Sequence, residues 1–487
     1  MNAPFDFDFD GDLLREECGV FGIWNNPDAA AMTALGLHAL QHRGQEAAGI
    51  CAYDGHQFNL ERRLGLVGDH FTKQDTIARL AGQAAIGHVR YSTTGGSTVL
   101  RNVQPMFAEL ESGGFAIAHN GNLTNGLTLR HELIRSGAIF QSTSDTEVVQ
   151  HLVARSPHRR MVEKYIDALR QIEGGYAFVT LTNKKLIGAR DPLGIRPLVL
   201  GRLKDSWILA SETCALDIIG AQFIREIDNG EVIVIDENGV ETFHPFAERK
   251  PRPCIFEYIY FARPDSIVGG RSVYEMRKEM GRVLAAESPV EADVVVPVPD
   301  SGVPAAIGYA QRSGVPFEQG IIRNHYVGRT FIEPTQQIRA LGVKLKHNAN
   351  RAVLRGKRVV LIDDSIVRGT TSLKIVQMVR EAGAREVHMR IASPPITHPD
   401  YYGIDTPKRE ALLAASHTLD EMRAYIQADS LAFISIDGIY RALGYDGRDA
   451  ANPQFTDHCF TGDYPTPLRD VEAQEDAHQL PLLADAG

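Results

Sequence analysis

The sequence VVLIDDSIVRGTT, residues 359–371, decides the fold of the second half of the chain. Its first four residues are apolar and mostly β-branched, which is typical of a strand buried on both faces of a parallel sheet. Asp363 and Asp364 follow directly, so we expect them at the carboxyl end of that strand. Open α/β sheets bind their ligands at this edge. The two carboxylates are therefore the first candidates for a binding site.

The segment after the two aspartates is suited to a phosphate group. Ser365, Gly369, Thr370 and Thr371 supply hydroxyls and a flexible backbone, and apolar residues at helical spacing predict a helix over 372–382. Backbone N–H groups and the helix dipole favour a phosphate there. The paired carboxylates can accept hydrogen bonds from sugar hydroxyls or hold Mg²⁺. The Gly-x-x-x-x-Gly-Lys pattern of a triphosphate loop is missing, so we predict a site for a phosphorylated ribose.

The regions on either side of this stretch alternate between strands and helices, which predicts a doubly wound parallel sheet. The predicted elements are strands at 294–298, 359–362 and 386–391 and helices at about 303–313 and 372–382.

The first half of the chain has a different pattern, with strands in runs and helices grouped between them, and it predicts an α+β domain. The predicted elements are strands at 20–23, 84–88, 115–118, 176–182, 207–210 and 231–235 and helices near 30–40, 146–154 and 161–171. The predicted divisions are a leader at 1–17, a first domain at 18–240, a linker at 241–253, a second domain at 254–465 and a loosely ordered tail at 466–487.

Bulk properties exclude several classes of protein. With 44% hydrophobic residues, a mean hydropathy of -0.17 and no apolar run of the roughly 20 residues that cross a bilayer, the chain is not a membrane protein. A net charge of -10 argues against a nucleic-acid partner. Five scattered cysteines without a Cys-x-x-Cys pair disfavour disulfides and a zinc ribbon and predict a reducing cytoplasm. The acidic segment 1–17 is not an export signal.

The stretch 359–371 resembles the phosphoribosylpyrophosphate (PRPP) signature of the type I phosphoribosyltransferases. The resemblance implies that Asp363 and Asp364 contact the ribose or its Mg²⁺. It also implies that the phosphate loop, residues 365–371, holds the 5′-phosphate through Ser365, Arg368, Gly369, Thr370 and Thr371.

Two further strings match the same family. VPDSG at 298–302 resembles the pyrophosphate loop, which places Ser301 near the metal. VGRTFI at 327–332 resembles the start of a mobile flap that extends from about 329 to 351. Arg329 is the first candidate in this flap for holding pyrophosphate, and Lys344 or Lys346 is a weaker one.

A second centre of chemistry lies near the start of the chain, where Cys18 begins the string CGVFGI. Four more strings accompany it: LQHRGQ at 40–45, GHVRYST at 87–93, HNGNL at 119–123 and SDTE at 144–147. Together they resemble the N-terminal-nucleophile glutamine amidotransferases over roughly 220 residues, a family whose domain sandwiches antiparallel sheets.

That resemblance assigns roles to five residues. Cys18 would be the nucleophile, and its own α-amine, which titrates at about 7.7–8.0, would be the base, so the resemblance implies removal of residues 1–17. Arg90 would bind the carboxylate of glutamine and Asp145 its ammonium group. The side chain of Asn120 and the N–H of Gly121 would form the oxyanion hole.

A glutaminase domain followed by a PRPP domain resembles the arrangement of the PRPP-dependent amidotransferases. The resemblance implies that ammonia released from glutamine displaces pyrophosphate from PRPP to give 5-phosphoribosylamine, the first committed intermediate of purine synthesis. In water at neutral pH, free ammonia would be mostly protonated and would not act as a nucleophile. An enclosed route between the two sites is therefore required, and we expect Tyr260 and the flap to form its walls. Glutaminase activity should be low until PRPP closes the flap. The family also suggests purine nucleotides as feedback inhibitors and a homotetramer or homodimer.

One branch of this family carries an iron–sulfur cluster, which needs four cysteine thiolates or close substitutes. Cys254 and Cys459 fall at two of the ligand positions, but Asp400 and Thr456 occupy the other two. A cluster is therefore not expected, and both cysteines are interpreted as packed residues.

Two alternatives remain at this stage. A hexosamine-phosphate synthase or an asparagine synthetase would share the first half, but the stretch 359–371 argues against both. A PRPP-sensing regulator would keep the second half as a binding module, but it would not need Cys18 with Arg90, Asn120 and Asp145.

Overall fold

The computed structural model describes residues 18–91, 99–324 and 347–473. In chain order the strands are β1 (Gly19–Trp24), β2 (Ala47–Tyr53), β3 (Phe58–Leu64), β4 (Ala84–Arg90), β5 (Met106–Leu110), β6 (Gly113–Leu123), β7 (Gly174–Thr182), β8 (Leu186–Arg190), β9 (Val199–Leu203), β10 (Ser206–Ala210), β11 (Gln222–Glu226), β12 (Val232–Asp236), β13 (Gly239–Phe243), β14 (Ile267–Val268), β15 (Arg271–Ser272), β16 (Val294–Pro297), β17 (Ile321–Arg323), β18 (His347–Ala349), β19 (Arg358–Asp363), β20 (Glu386–Ile391) and β21 (Ser430–Phe433).

The α-helices that the structure describes are Ala29–Ala39, Val67–His70, Gln74–Arg79, Gly126–Arg135, Thr146–Arg155, Met161–Leu169, Cys214–Asp217, Val273–Glu287, Val303–Ser313, Arg351–Leu354, Thr370–Glu381, Leu413–Ser416, Leu419–Tyr425, Ile436–Ala442 and His458–Thr461. A turn of π-helix, Glu257–Phe261, lies between the two halves of the chain. In the part of the chain described, no helix combines the length and the apolar character needed to cross a membrane.

Two antiparallel sheets face each other in the first half. One has seven strands in the order β11-β9-β10-β1-β4-β2-β3, and the other has six in the order β13-β12-β8-β7-β6-β5. Alternating strand residues such as Val20, Ile86 and Val179 fill the space between the sheets. The helix Ala29–Ala39 covers the outer face of the first sheet, and the helices 146–155 and 161–169 cover that of the second. The predicted α+β domain with sandwiched sheets is confirmed.

The second half is built on a parallel sheet in the order β16-β19-β20-β21. The strand β19 is central and its apolar residues are fully buried, as expected for a strand covered on both faces. Helices pack on both sides, so the predicted α/β domain is confirmed. The helix Val303–Ser313 and the strand Glu386–Ile391 have the predicted bounds.

Three stretches differ from what the sequence predicts for the linker, the flap and the tail. The strand β13 runs to Phe243, so regular structure continues past residue 241. The strand β18 lies within the predicted flap and pairs with β17. Residues 466–473 were expected to be loosely ordered, but Asp470 accepts hydrogen bonds from Leu127 N (2.8 Å) and Thr128 N (2.9 Å). This part of the tail is therefore docked on the first domain.

Candidate functional site

The nucleophile candidate lies at the end of two paired strands. Cys18 directly precedes β1, whose Gly19 pairs with Val89 of β4, so the strand pairing brings Arg90 and Tyr91 beside the thiol. The Cys18 thiol donates to the carbonyl oxygen of Tyr91 at 3.7 Å. Burial raises the pKa of Cys18, although the positive charge of Arg90 partly opposes this. The thiol is therefore protonated at neutral pH and needs a base to become a nucleophile.

Arg90 and Asp145 supply opposite charges near this thiol. The Arg90 guanidinium donates to the carbonyl oxygen of Asn102 at 2.9 Å, and its Nε has no hydrogen-bond partner in the part of the molecule described. Asp145 accepts a hydrogen bond from Leu123 N at 2.9 Å and lies 3.6 Å from His119 Nδ1. Burial alone would raise the pKa of Asp145, but His119 and these N–H donors outweigh burial and lower it. Asp145 is therefore an anion at neutral pH.

The oxyanion candidates lie at the end of β6, which pairs with β7. Asn120 is fully buried, and neither atom of its side-chain amide has a hydrogen-bond partner among the described residues. A buried amide without a partner is costly unless a ligand satisfies it. Gly121 has φ +135°, and a Cβ there would lie 2.0 Å from the carbonyl oxygen of Gly175, so only glycine fits.

These residues surround one pocket of about 280 Å³. Cys18, Arg90, Gly121 and Asp145 line it, which brings together four of the five glutaminase residues that the sequence predicts, whereas Asn120 is fully buried next to Gly121 and does not line the pocket. The wall also contains residues of the second half that sequence reasoning missed, namely Tyr401, Leu468, Asp470 and Val471. No local pattern marks these four residues, because only the packing of distant segments brings them to the pocket.

The second candidate site lies at the carboxyl end of β19. Asp363 and Asp364 are 8% and 6% exposed, and Asp363 accepts a hydrogen bond from Asp364 N at 2.9 Å. The hydroxyl of Ser365 donates to Asp364 at 2.6 Å, and that of Ser301 also bonds to this carboxylate. Burial raises the pKa of Asp364, while these hydroxyls and Arg277 oppose the rise. Carboxylate and hydroxyl oxygens in this arrangement fit a hard cation such as Mg²⁺.

Two loops meet at this site. The predicted pyrophosphate loop, residues 298–302, joins the end of β19 because Val298 N donates to the carbonyl oxygen of Ile362 at 2.8 Å. The phosphate loop ends at Gly369, whose φ of +79° turns the chain into the helix Thr370–Glu381. Of the predicted flap residues, Arg329, Lys344 and Lys346 lie outside the described part of the chain.

Sequence reasoning also missed Arg277, a buried residue of the helix Val273–Glu287. Its guanidinium donates to the carbonyl oxygens of Tyr258 and Ala262, both at 2.8 Å, and its charge acts on Asp364. Burial lowers the pKa of Arg277 to about 10. This side chain therefore bonds to the π-helix that contains Tyr260, while its positive charge acts on Asp364 at the edge of the sheet.

A buried ion network crosses between the halves. Arg43, in the LQHRGQ string, is fully buried and pairs with Glu212 of the first domain and Glu257 of the π-helix. Glu212 also accepts from Ser266 Oγ (2.6 Å) and Arg263 N (2.9 Å). Burial would raise the pKa of Glu212, but His42, whose Nε2 lies 2.7 Å from this carboxylate, and Arg43 hold the pKa well below its usual range.

The cysteines discussed for an iron–sulfur cluster are packed thiols. Cys254 and Cys459 are each 1% exposed, and burial raises the pKa of Cys254 to about 12. Asp400, at a third ligand position, already bonds to His458 Nε2 at 2.8 Å. Cys459 Sγ lies 3.4 Å from the same nitrogen. All five cysteines of the chain lie in its described part, and all are free.

Comparisons with known proteins match both halves. The family sequence profile for a glutamine amidotransferase domain matches residues 88–217, and that for a phosphoribosyl transferase domain matches residues 282–392. An amidophosphoribosyltransferase of Rhizobium etli is 66% identical over 490 residues, covering 99% of both chains. The amidophosphoribosyltransferase of Bacillus subtilis is 49% identical over 456 residues, covering 93% of this chain and 95% of the relative.

The fold and the two sites define a glutamine amidotransferase that is joined to a phosphoribosyltransferase domain. A solved structure of the glutamine PRPP amidotransferase of B. subtilis, complexed with ADP and GMP, matches with a TM-score of 0.87 and 48% identity, covering 93% of this chain and 98% of that one. Another, described as the allosteric regulatory enzyme of purine biosynthesis, matches with a TM-score of 0.88, 48% identity and coverage of 93% and 97%. The chain belongs to the amidophosphoribosyltransferase family.

Proposed function

We infer that the chain converts PRPP, glutamine and water into 5-phosphoribosylamine, glutamate and pyrophosphate, the first committed step of purine synthesis. The observation that carries this inference is that one chain holds both a Cys18 pocket with Arg90 and Asp145 and the buried Asp363-Asp364 pair. A PRPP-sensing regulator would have no use for the first of these sites.

In the first half-reaction, Cys18 Sγ attacks the side-chain amide carbon of glutamine. Asn120 and the Gly121 N–H stabilise the oxyanion, since the buried Asn120 amide has no hydrogen-bond partner among the residues described and can donate to it. Ammonia leaves, and water hydrolyses the resulting thioester to glutamate and restores the thiol. Arg90 and Asp145 bind the carboxylate and the ammonium group of the substrate, because their charges are complementary to those groups.

The base for Cys18 would be its own α-amine, which requires cleavage before residue 18. Burial keeps the thiol protonated, so a base must take its proton, and an amine with a pKa of about 7.7–8.0 is partly unprotonated near neutral pH and can serve as that base. The intact mass of active enzyme should lack residues 1–17. A mass that still contains them would contradict this proposal.

In the second half-reaction, ammonia attacks C1 of PRPP and pyrophosphate leaves. Residues of the phosphate loop, namely Ser365, Arg368, Gly369, Thr370 and Thr371, would bind the 5′-phosphate at the start of a helix. Asp363, Asp364 and Ser301 would hold Mg²⁺, which neutralises negative charge on the leaving pyrophosphate when bound. Arg329 would bind the same group from the flap.

The phosphate loop would also accept the 5′-phosphate of a purine nucleotide, and we propose such nucleotides as competitive inhibitors. The B. subtilis relative has been solved in complex with ADP and GMP, which supports the proposal. An iron–sulfur cluster is not part of the proposal, since Asp400 and Thr456 occupy two of the four positions at which a cluster needs thiolates.

Coupling of the two sites provides the test. Purified protein with Mg²⁺ should release glutamate and pyrophosphate in equal amounts, and glutamate release should be low without PRPP. The variant Cys18→Ala should lose glutamine hydrolysis but still release pyrophosphate when ammonium chloride replaces glutamine. PRPP binding by processed protein without any glutamate release would overturn the inference and favour the regulator.

A further inference from the structure

The oxyanion end of β6 is in direct contact with a loop of the second domain, residues 399–404. Gly403 in this loop has φ +121°, and a Cβ built there would lie 3.0 Å from both Cα and C of Gly121. On its other side, Gly121 packs against β7, where a Cβ on Gly121 would meet the carbonyl oxygen of Gly175 at 2.0 Å. The backbone of Gly121 is thus held between two neighbours, with no space for a methyl group on either side.

A hydrogen bond joins the same two segments. Asn122, one residue after Gly121, donates from its side-chain amide to the carbonyl oxygen of Tyr401 at 2.9 Å. The loop therefore contacts the oxyanion segment through both backbone packing and a polar bond. Asn122 is only partly buried and lines the glutamine pocket, so this bond forms part of its wall.

The loop 399–404 is itself rigidly held. Asp400 accepts hydrogen bonds from the N–H groups of Tyr402 (2.7 Å) and Ile404 (2.8 Å). The guanidinium of Arg196, from the first domain, donates to the carbonyl oxygen of Tyr402 through Nε (2.8 Å) and Nη2 (2.6 Å). Asp400 also pairs with His458. A loop with this many bonds can fix the position of a neighbour that touches it.

We propose that the loop 399–404 positions the oxyanion donor at Gly121, with Gly403 and Asn122 as positioning residues for glutamine hydrolysis. This inference rests on the proposed function, because it assigns a role to the N–H of Gly121. Oxyanion donors act on the transition state and must lie within about 2.7–3.1 Å of the developing charge. A displacement of Gly121 therefore lowers kcat for glutamine hydrolysis, while glutamine binding through Arg90 and Asp145 is retained.

The first test is Gly403→Ala, with Gly239→Ala as its matched control. Gly239 has a similar φ of +114° but nothing within 4 Å of the position that a methyl group would take, so it tests backbone strain without the contact. Removal of one oxyanion donor costs about 10²–10³ in kcat, so we expect a partial displacement to lower kcat for glutamine hydrolysis roughly tenfold or more. KM for glutamine and ammonia-dependent pyrophosphate release should stay close to wild type.

A second variant addresses the case in which Gly403→Ala does not fold. Asn122→Ala removes the bond to Tyr401 without backbone strain, and it should lower kcat more than it changes KM. Its control is Asn229→Ala, since the Asn229 amide donates to the carbonyl oxygens of Pro192 and Arg249 (both 2.9 Å) and this residue does not line the pocket. This control should leave both kinetic constants unchanged.

The outcomes separate the inference from the function on which it rests. If wild-type protein releases no glutamate from glutamine, the proposed function fails. If wild type is active and both Gly403→Ala and Asn122→Ala keep its kcat, the positioning role is wrong. An equal loss in glutamine hydrolysis and in ammonia-dependent synthesis would also overturn it, because that result indicates general damage.

Discussion

At the scale of single residues, the electrostatics of Asp145 give a specific expectation. Burial acts to raise its pKa, but His119 and backbone N–H donors outweigh burial and lower it. The carboxylate therefore stays ionised at pH values below the usual pKa of an aspartate, and it can bind the ammonium group of glutamine in mildly acidic solution. KM for glutamine should change little as the pH falls from about 5 to about 4, where an ordinary aspartate with a pKa of about 3.9 would be roughly half protonated. A KM that rises steeply over this range would contradict the lowered pKa.

Replacing Asp145 by Asn tests this assignment. A hydrogen bond to a charged group contributes about 1.5–3 kcal/mol, so we expect KM for glutamine to rise by about 10- to 100-fold. Ammonia-dependent synthesis should be unaffected, since it does not use this pocket. Steady-state kinetics with both nitrogen donors measures the two effects. An unchanged KM would mean that Asp145 has only a structural role.

The residues of the two sites were predictable to different extents. Cys18, Arg90 and Asp145 could be identified because strings of neighbouring residues resemble a known family, and the structure brings all three to one pocket. Tyr401 and Arg277 could not be identified in this way. Their positions depend on tertiary packing between segments far apart in sequence, and neither stands in a distinctive motif.

At the scale of elements, strands with a run of β-branched or large apolar residues were predictable, as for β7 and β19. The buried strands β2 (AAGICAY) and β8 (LIGAR), which contain small residues, were missed, as were most edge strands. The central strand β19 consists of buried apolar residues, so its pattern is strong. The edge strand β3 has the sequence FNLERRL and is only partly buried, so polar residues obscure its alternation. The strand β21 has four residues, too few for a periodic pattern to emerge.

The docking of residues 466–473 on the first domain leads to a prediction about one helix. The helix Gly126–Arg135 has no side-chain cap from Asn125, the residue before it. Asp470 supplies this cap from the other end of the chain by accepting from Leu127 N and Thr128 N. It also accepts from Thr128 Oγ1 at 2.8 Å. A carboxylate here also interacts favourably with the helix dipole.

Asp470→Ala should therefore destabilise the first domain by about 1 kcal/mol and raise KM for glutamine, because the cap and part of the pocket wall are lost together. The control is Arg63→Ala, which removes a surface ion pair with Glu61 (2.7 Å) elsewhere in the first domain. Exposed pairs contribute about 0–1 kcal/mol, so this variant should resemble wild type. Thermal unfolding and glutamine kinetics would distinguish the two. Equal behaviour of both variants would contradict the capping role.

At the scale of the whole molecule, a buried network of charges joins the two domains. Arg43 contacts Glu212 in the first domain and Glu257 in the π-helix that begins the second. The π-helix is in turn tied by Arg277 to the region of Asp364. The network thus joins the first domain to the π-helix, and the charge of Arg277 extends its influence to Asp364. Sequence reasoning placed the LQHRGQ string in the first domain but gave no indication that its arginine reaches the second.

Replacing Arg43 by Met should strongly lower the stability of the junction. Removing one partner of a buried ion pair typically costs roughly 3–5 kcal/mol, because the remaining charge is left without compensation. Arg79→Met is a suitable control, since its pair with Glu61 (2.9 Å) is half exposed. We expect a clear decrease in Tm for Arg43→Met and almost none for Arg79→Met.

The pH dependence of this decrease tests its electrostatic origin. The pKa of Glu212 in the folded state is well below its usual range. The ionised carboxylate therefore stabilises the fold fully at pH values above its unfolded pKa of about 4.3, and this contribution is lost as the pH falls through the folded pKa. The variant keeps His42 beside Glu212, but it loses Arg43, the second group that lowers the pKa of this carboxylate. The folded pKa of Glu212 should therefore rise, and in the variant this carboxylate becomes neutral at a higher pH. The difference in Tm between wild type and Arg43→Met should therefore be larger at pH 8 than at pH 5. A difference that does not depend on pH would indicate lost packing rather than lost charge.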